Sequence, residues 1–176
     1  MKISLFQINA FTNEFFSGNP AAVCPLEKWI DDFQMQAIAA ENNLSETAFF
    51  VKRDNHYDLR WFTPTTEVDL CGHATLAASF VLFNELRISS KEIVFHTKSG
   101  PLTVEQKGEL FEMDLPMQLL IACDVPDDLI KGLGKEPVEV LSSEDYLAVF
   151  GSEDDVRNIK PDFERLKRLD LRGVIV

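Results

Sequence analysis

The stretch that decides the fold is DLCGHATLAASFVLFNEL, Asp69 to Leu86. A polar turn carrying Cys71, Gly72 and His73 runs into thirteen residues, Ala74–Leu86, with one charge and neither Pro nor Gly. Apolar side chains fall on nearly every face of a helix drawn through them, and a helix apolar all round is buried all round. The segment Thr75–Phe83 is therefore expected to thread the middle of a domain built from strands.

The flanking sequence supplies those strands. Lys2–Ile8 alternates, with Ile3 and Leu5 on one face. Thr47–Lys52 and Tyr57–Thr63 read as two strands joined by the polar turn RDNH. Glu92–Thr97, Leu102–Gln106 and Glu109–Leu115 are three more that wrap the helix, with Gly100-Pro101 and Lys107-Gly108 turning between them. Before them, SGNPAAV (Ser17–Val23) reads as a turn entering an apolar run. Asp31 caps an amphipathic helix that carries Phe33, Ala37, Ile38 and Glu41 at helical spacing and stops at Asn42-Asn43. After Pro116 the texture changes: a short helix at Pro126–Leu133, strands at Val138–Leu141 and Tyr146–Phe150, a charged helix at Pro161–Leu169. Gly173–Val176 then starts a strand. The chain thus divides into residues 1–117 and 118–176, and the second unit reads as started and not finished.

Composition narrows the function. Hydrophobic content of 45% with 26% charged residues is that of a globular chain. A net charge of −12 argues against nucleic acid, which needs a basic face. Part of that acidity has a structural use, since Asp31-Asp32, Asp127-Asp128 and Asp154-Asp155 precede helical segments, where carboxylates cap free N–H groups. No run approaches the length of a membrane span, and the N-terminus lacks the pattern of a signal peptide. Three cysteines without a CxxC suggest neither a disulfide framework nor a zinc knuckle. A reducing, cytoplasmic setting is the expectation.

Three residues stand out as chemistry. If a helix begins at Gly72-His73, its first N–H groups are free to hold a carboxylate or phosphate. Gly72 lets a ligand approach the backbone, and His73 stands beside it as donor or proton carrier. The alternative stays open on the residues alone: Asp69 caps the helix and His73 is a half-buried first-turn residue. Glu46, in NLSETAFF (Asn43–Phe50), is a lone acid against Leu44, Ala48, Phe49 and Phe50. Loss of hydration there makes it a better proton acceptor, unless it faces water or a nearby loop. Cys71, next to a helix start, is expected to have a depressed pKa and to serve as base or nucleophile, or else to be an inert buried thiol. His56 in a polar turn and His96 in a strand show no spaced partner that suggests a metal, so both are assigned to structure and no metal is expected.

SGNPAAV at 17–23, NLSETAFF at 43–50 and RWFTPTTEVDLCGHATLAA at 60–78, in that order and spacing, resemble the PhzF family of phenazine-biosynthesis-like isomerases. The resemblance implies the α+β fold of diaminopimelate epimerase: two similar lobes, each a curved, mostly antiparallel sheet around a central apolar helix, with the active site between them. It implies a first lobe over 1–117 and a partial second lobe over 118–176, because the acidic, Gly-containing segment that completes the family's cleft has no counterpart after Leu119. It implies Glu46 as the catalytic acid/base, with His73 beside it, and Asn19, Ser45, Asp69 and Gly72 at the substrate. Cys71 falls where diaminopimelate epimerases carry a catalytic thiol. The reaction implied is a cofactor-independent proton shift on a small carboxylic acid.

Two other readings compete. One is a racemase or epimerase using Cys71, which requires a second thiol that Cys123 does not supply. The other is a non-catalytic binding, assembly or relic protein. The expected partners are a small carboxylic acid and either a second copy in a homodimer or a chain that supplies the missing lobe, with neither nucleic acid nor membrane.

Overall fold

The computed structural model describes residues 2–176, which divide after Pro116 into two compact units. In the first, eight strands form one sheet: β1 (Phe6–Ala10), β2 (Asn19–Leu26), β3 (Glu46–Lys52), β4 (Tyr57–Phe62), β5 (Glu67–Val68), β6 (Glu92–Thr97), β7 (Gly100–Lys107) and β8 (Leu110–Asp114). Their order is β1-β2-β3-β4-β6-β7-β8, with β5 paired to β4. Five pairings are antiparallel, while β2/β3 and β4/β6 are parallel. Each parallel joint needs a crossover. Helix α1 (Asp32–Asn42) supplies the first, and helix α2 (Gly72–Phe80) lies in the second.

Helix α2 occupies the place expected of the apolar stretch. Ala74, Ala77 and Ala78 are buried against Val23, Ala48, Trp61, Ile93, Phe95, Leu102 and Val104, contributed by strands from β2 to β7. The sheet therefore curls around the helix, and its small residues let the strands come close. Two hydroxyls in this core stay satisfied within the helix: Thr75 Oγ1 donates to the Cys71 carbonyl at 2.6 Å and Ser79 Oγ to that of Thr75 at 2.8 Å. The expected helix to Leu86 changes character at its end. Residues Val81–Glu85 form a π-helical turn, closed by Leu86 N–H donating to the Val81 carbonyl at 2.8 Å.

Other expectations need local correction. The first strand starts at Phe6 and continues to Ala10, because its register with β2 runs from Phe6↔Val23 to Ala10↔Asn19. In SGNPAAV only Ser17 and Gly18 lie outside a strand. Gly18 has φ +79°, and a Cβ there would lie 2.4 Å from the Ala10 carbonyl oxygen, so only glycine closes this turn. In α1 the buried face is Met35 and Ala39, while Phe33 is 83% exposed. The stop at Asn42-Asn43 is borne out, with Asn43 in the left-handed conformation. The aspartates before helices do less capping than expected: Asp31 makes no side-chain cap bond, and Asp127, Asp128, Asp154 and Asp155 sit inside first turns.

The second unit holds β9 (Ile121–Ala122), α3 (Asp127–Leu133), β10 (Glu139–Ser142), β11 (Tyr146–Val149), α4 (Glu153–Arg157), α5 (Phe163–Leu166) and β12 (Val174–Ile175). Its sheet order is β12-β11-β10-β9, with β11 and β12 parallel. Leu129, Leu133, Val140, Tyr146 and Ala148 form a separate core. The charged helix expected over Pro161–Leu169 is only four residues long, capped by Asp162, whose carboxylate accepts from Glu164 N–H and Arg165 N–H. Gly132 lets α3 meet α5 closely, since a Cβ there would stand 2.5 Å from Leu166 Cδ2. No helix among the described residues is long and apolar enough to cross a membrane.

Candidate active site

Parallel pairing sets Glu46, the first residue of β3, opposite Ala21 of β2. Helix α2 packs on the same strands, and the chain enters it extended at Cys71 before turning helical at Gly72. The start of β3 and the start of α2 therefore meet. Glu46 Oε2 and His73 Nε2 come within 3.1 Å, with side chains only 19% and 10% exposed. Their approach lacks the alignment of a hydrogen bond, so both buried atoms keep unfilled hydrogen-bonding capacity.

Cys71 completes the group. Its Sγ lies 3.4 Å from His73 Nδ1, so the imidazole stands between the thiol on one nitrogen and the carboxylate on the other. The expected depression of this thiol is overturned. Burial pushes Cys71 up to about 12, helped by the Glu46 carboxylate, and the Ala74 N–H at the helix start offsets only part of the rise. Desolvation outweighs the helix end because the sulfur is inside the wall rather than in front of it. Cys71 is thus a protonated thiol near neutrality. Ligand atoms of Glu46, Cys71 and His73 lie within 4.8 Å of one another, a mixed O/S/N set.

The other predicted residues are less tightly gathered. Gly72 is open above: a Cβ would meet only Met113 Cε, at 3.6 Å. Ser45 is exposed, directly before Glu46. Asn19 begins β2, two residues before the partner of Glu46. Asp69 does not cap α2. Its backbone carbonyl accepts from Ser99 Oγ at 2.8 Å and its carboxylate lies 4.0 Å from Lys98 Nζ. Sequence reasoning missed Lys98 and Ser99, which reach the 69–73 loop only through the β6–β7 turn. A cavity of about 760 Å³ lies away from this chemistry, between β1 and β8, lined by Ile8, Phe11, Leu76, Phe80 and Phe111. Neither Glu46 nor His73 borders it.

Comparison with known proteins agrees with this architecture. The chain is 52% identical over 176 residues to an uncharacterized isomerase of Pseudomonas aeruginosa, matching all of this chain and 68% of that protein. A crystal structure of a PhzF-family phenazine biosynthesis protein from Enterococcus faecalis superposes with a TM-score of 0.90 at 46% identity, over 97% of this chain and 66% of the other. A predicted epimerase from Pseudomonas aeruginosa shares the fold, with a TM-score of 0.71 at 22% identity over 98% of this chain and 69% of the other. The chain spans about two thirds of the length of the relatives it matches. The fold is that of the diaminopimelate epimerase-like α+β proteins. Residues 8–176 match the model of the family described as phenazine biosynthesis-like protein, PhzC-PhzF, and the chain belongs to that family.

Proposed function

We propose that this chain carries the acid–base wall of a cofactor-independent isomerase that shifts a proton on a small carboxylic acid. The observation that supports it most is the buried, misaligned approach of Glu46 and His73 at the open start of α2. Two polar groups with unfilled capacity beside free helix N–H groups suit a ligand bearing both an anionic group and a transferable proton. In this reading the substrate carboxylate lies against the N–H groups at Gly72 and His73, with Asn19, Ser45 and Asp69 around it. Glu46 takes a proton from one carbon, the electron pair moves into the conjugated acid, and the proton returns to a second carbon. His73 donates to the oxygen on which charge develops.

Cys71 has a supporting part. A protonated thiol 3.4 Å from His73 Nδ1 donates its S–H to that nitrogen and leaves the ring proton on Nε2, the atom beside Glu46. Names of relatives point the same way, since the Pseudomonas aeruginosa protein is described as an isomerase. Incubation in D2O with a panel of unsaturated and 2-substituted carboxylic acids tests the proposal by mass spectrometry. Deuterium should enter the substrate carbon skeleton, and Glu46→Gln should slow that entry at least about a hundredfold, as expected for loss of a positioned base. Equal exchange by the two proteins would remove Glu46 from the mechanism.

A further inference from the structure

A second group of ligating side chains lies on the opposite face of the sheet, where His56 and His96, which show no spaced partner in the sequence, meet Asp58. His56 closes the turn after β3, with Arg53 N–H donating to its carbonyl at 2.9 Å. Side chains alternate along a strand, so Asp58 points outward from β4 while Tyr57 packs on the core, and His56 in the turn just before β4 reaches Asp58 on that outer side. Parallel pairing with β6 then sets Asp58 opposite His96, whose neighbour Phe95 is fully buried on the core side. Local period and long-range register together bring two imidazoles and a carboxylate onto one outward patch. Their ligand atoms lie within 4.8 Å of one another.

The donor orientation is specific. Asn55 Oδ1 stands 3.1 Å from His56 Nδ1 and, being an acceptor, favours the tautomer with the ring proton on that nitrogen. In the neutral ring this directs the Nε2 lone pair at Asp58 Oδ1, 3.2 Å away. Two electron-rich atoms so placed repel unless a proton or a metal cation lies between them. The His96 ring stacks on His56 with centroids 3.8 Å apart and planes 20° apart, and one of its nitrogens lies within 4.8 Å of the ligand atoms of His56 and Asp58. Arg53 holds the other carboxylate oxygen of Asp58 at 2.7 Å, which fixes the carboxylate and leaves Oδ1 for a ligand.

We propose that His56, Asp58 and His96 form a binding site for a divalent first-row transition metal such as Zn(II) or Co(II). Two imidazoles with one carboxylate are a borderline-hard donor set suited to those ions, and the half-buried patch, with His96 exposed, leaves the remaining coordination positions to water. Asn55 plays the orienting part that outer hydrogen bonds play around metal-bound histidines.

The test is titration of the 176-residue chain with Co(II) and Zn(II) near neutral pH, followed by calorimetry and visible absorption. One ion per chain should bind in the micromolar range, with a Co(II) spectrum free of a sulfur charge-transfer band. His56→Ala and His96→Ala, both on the outer face, should abolish this binding, and Asn55→Ala should weaken it about tenfold. Cys71→Ser should leave it intact, which separates this patch from the Glu46, Cys71 and His73 group. Absence of binding at millimolar Zn(II), binding that survives His96→Ala, or a sulfur band lost with Cys71→Ser would each overturn the assignment.

Discussion

Burial keeps the Cys71 sulfur protonated, and that gives the residue a measurable consequence at His73. In the native chain the ring proton is expected on Nε2, the atom 3.1 Å from Glu46. Cys71→Ala removes the donor from Nδ1, so 15N-detected NMR should show His73 as a mixture of tautomers, whereas Cys71→Ser, which keeps a donor, should retain the Nε2-protonated form. An unchanged tautomer in Cys71→Ala would show that the thiol does not set it. The positions of Glu46, Gly72 and His73 at the starts of their elements were legible because lone polar residues at the edges of apolar runs mark such starts. The state of Cys71 was not. A helix N-terminus is a local feature of sequence, but desolvation depends on how much of the sheet closes over the sulfur. The company of His56 and His96 was equally hidden, since it arises from a strand pairing across β5 and α2.

Arg60 shows how one side chain ties elements together. From β4 it bonds Glu67 of β5 through two nitrogens, at 2.7 and 2.9 Å, and reaches Asp32 at the start of α1 at 2.8 Å. Its guanidinium lies over the rings of Trp29 and Phe62, at 5.5 and 5.2 Å. Hydrogen bonding to Arg60 holds both Glu67 and Asp32 below the usual carboxylate range. A lowered carboxyl stabilises the fold above its unfolded value and loses that contribution as pH falls through the lowered one. Urea midpoints should therefore fall between about pH 5 and about pH 3, and Arg60→Met, which keeps the stem over the rings, should lower stability at neutrality and flatten that dependence. An equally steep pH profile in the variant would count against the clamp. At this scale the sequence marked most strands, because alternation and turn residues are local signals. It misjudged the face of α1 and the length of α5. In α1 an aromatic at Phe33 was weighed by its hydrophobicity, but the contact surface is set by which residues face Phe49 and Phe62, and Met35 and Ala39 do so.

Over the whole molecule, the two units have their own cores and are joined by an irregular stretch. Residues 115–120 form neither helix nor strand, and Leu115, Met117 and Leu119 are exposed there. Proteases need an extended, accessible backbone, so limited digestion with chymotrypsin should cut first within this stretch. The resulting fragment ending near Pro116 should keep slow hydrogen exchange at the buried strands β3 and β6. First cleavage inside β7 or α2 would contradict this. The division was visible in the sequence as a change of texture after Pro116, whereas the curl of the sheet around α2 could be read only through the family resemblance and the helix's lack of a polar face.

The parallel joint of β4 with β6 also bears on how the chain comes off the ribosome. Tyr57 and Asp58 emerge early, but their partners Phe95 and His96 are made only after all of α2 has been delivered. The nascent sheet must therefore wait, half-built, with its oily helix already outside the exit tunnel. Contacts so distant in sequence form slowly, and this interval is when a chaperone would find the most to hold.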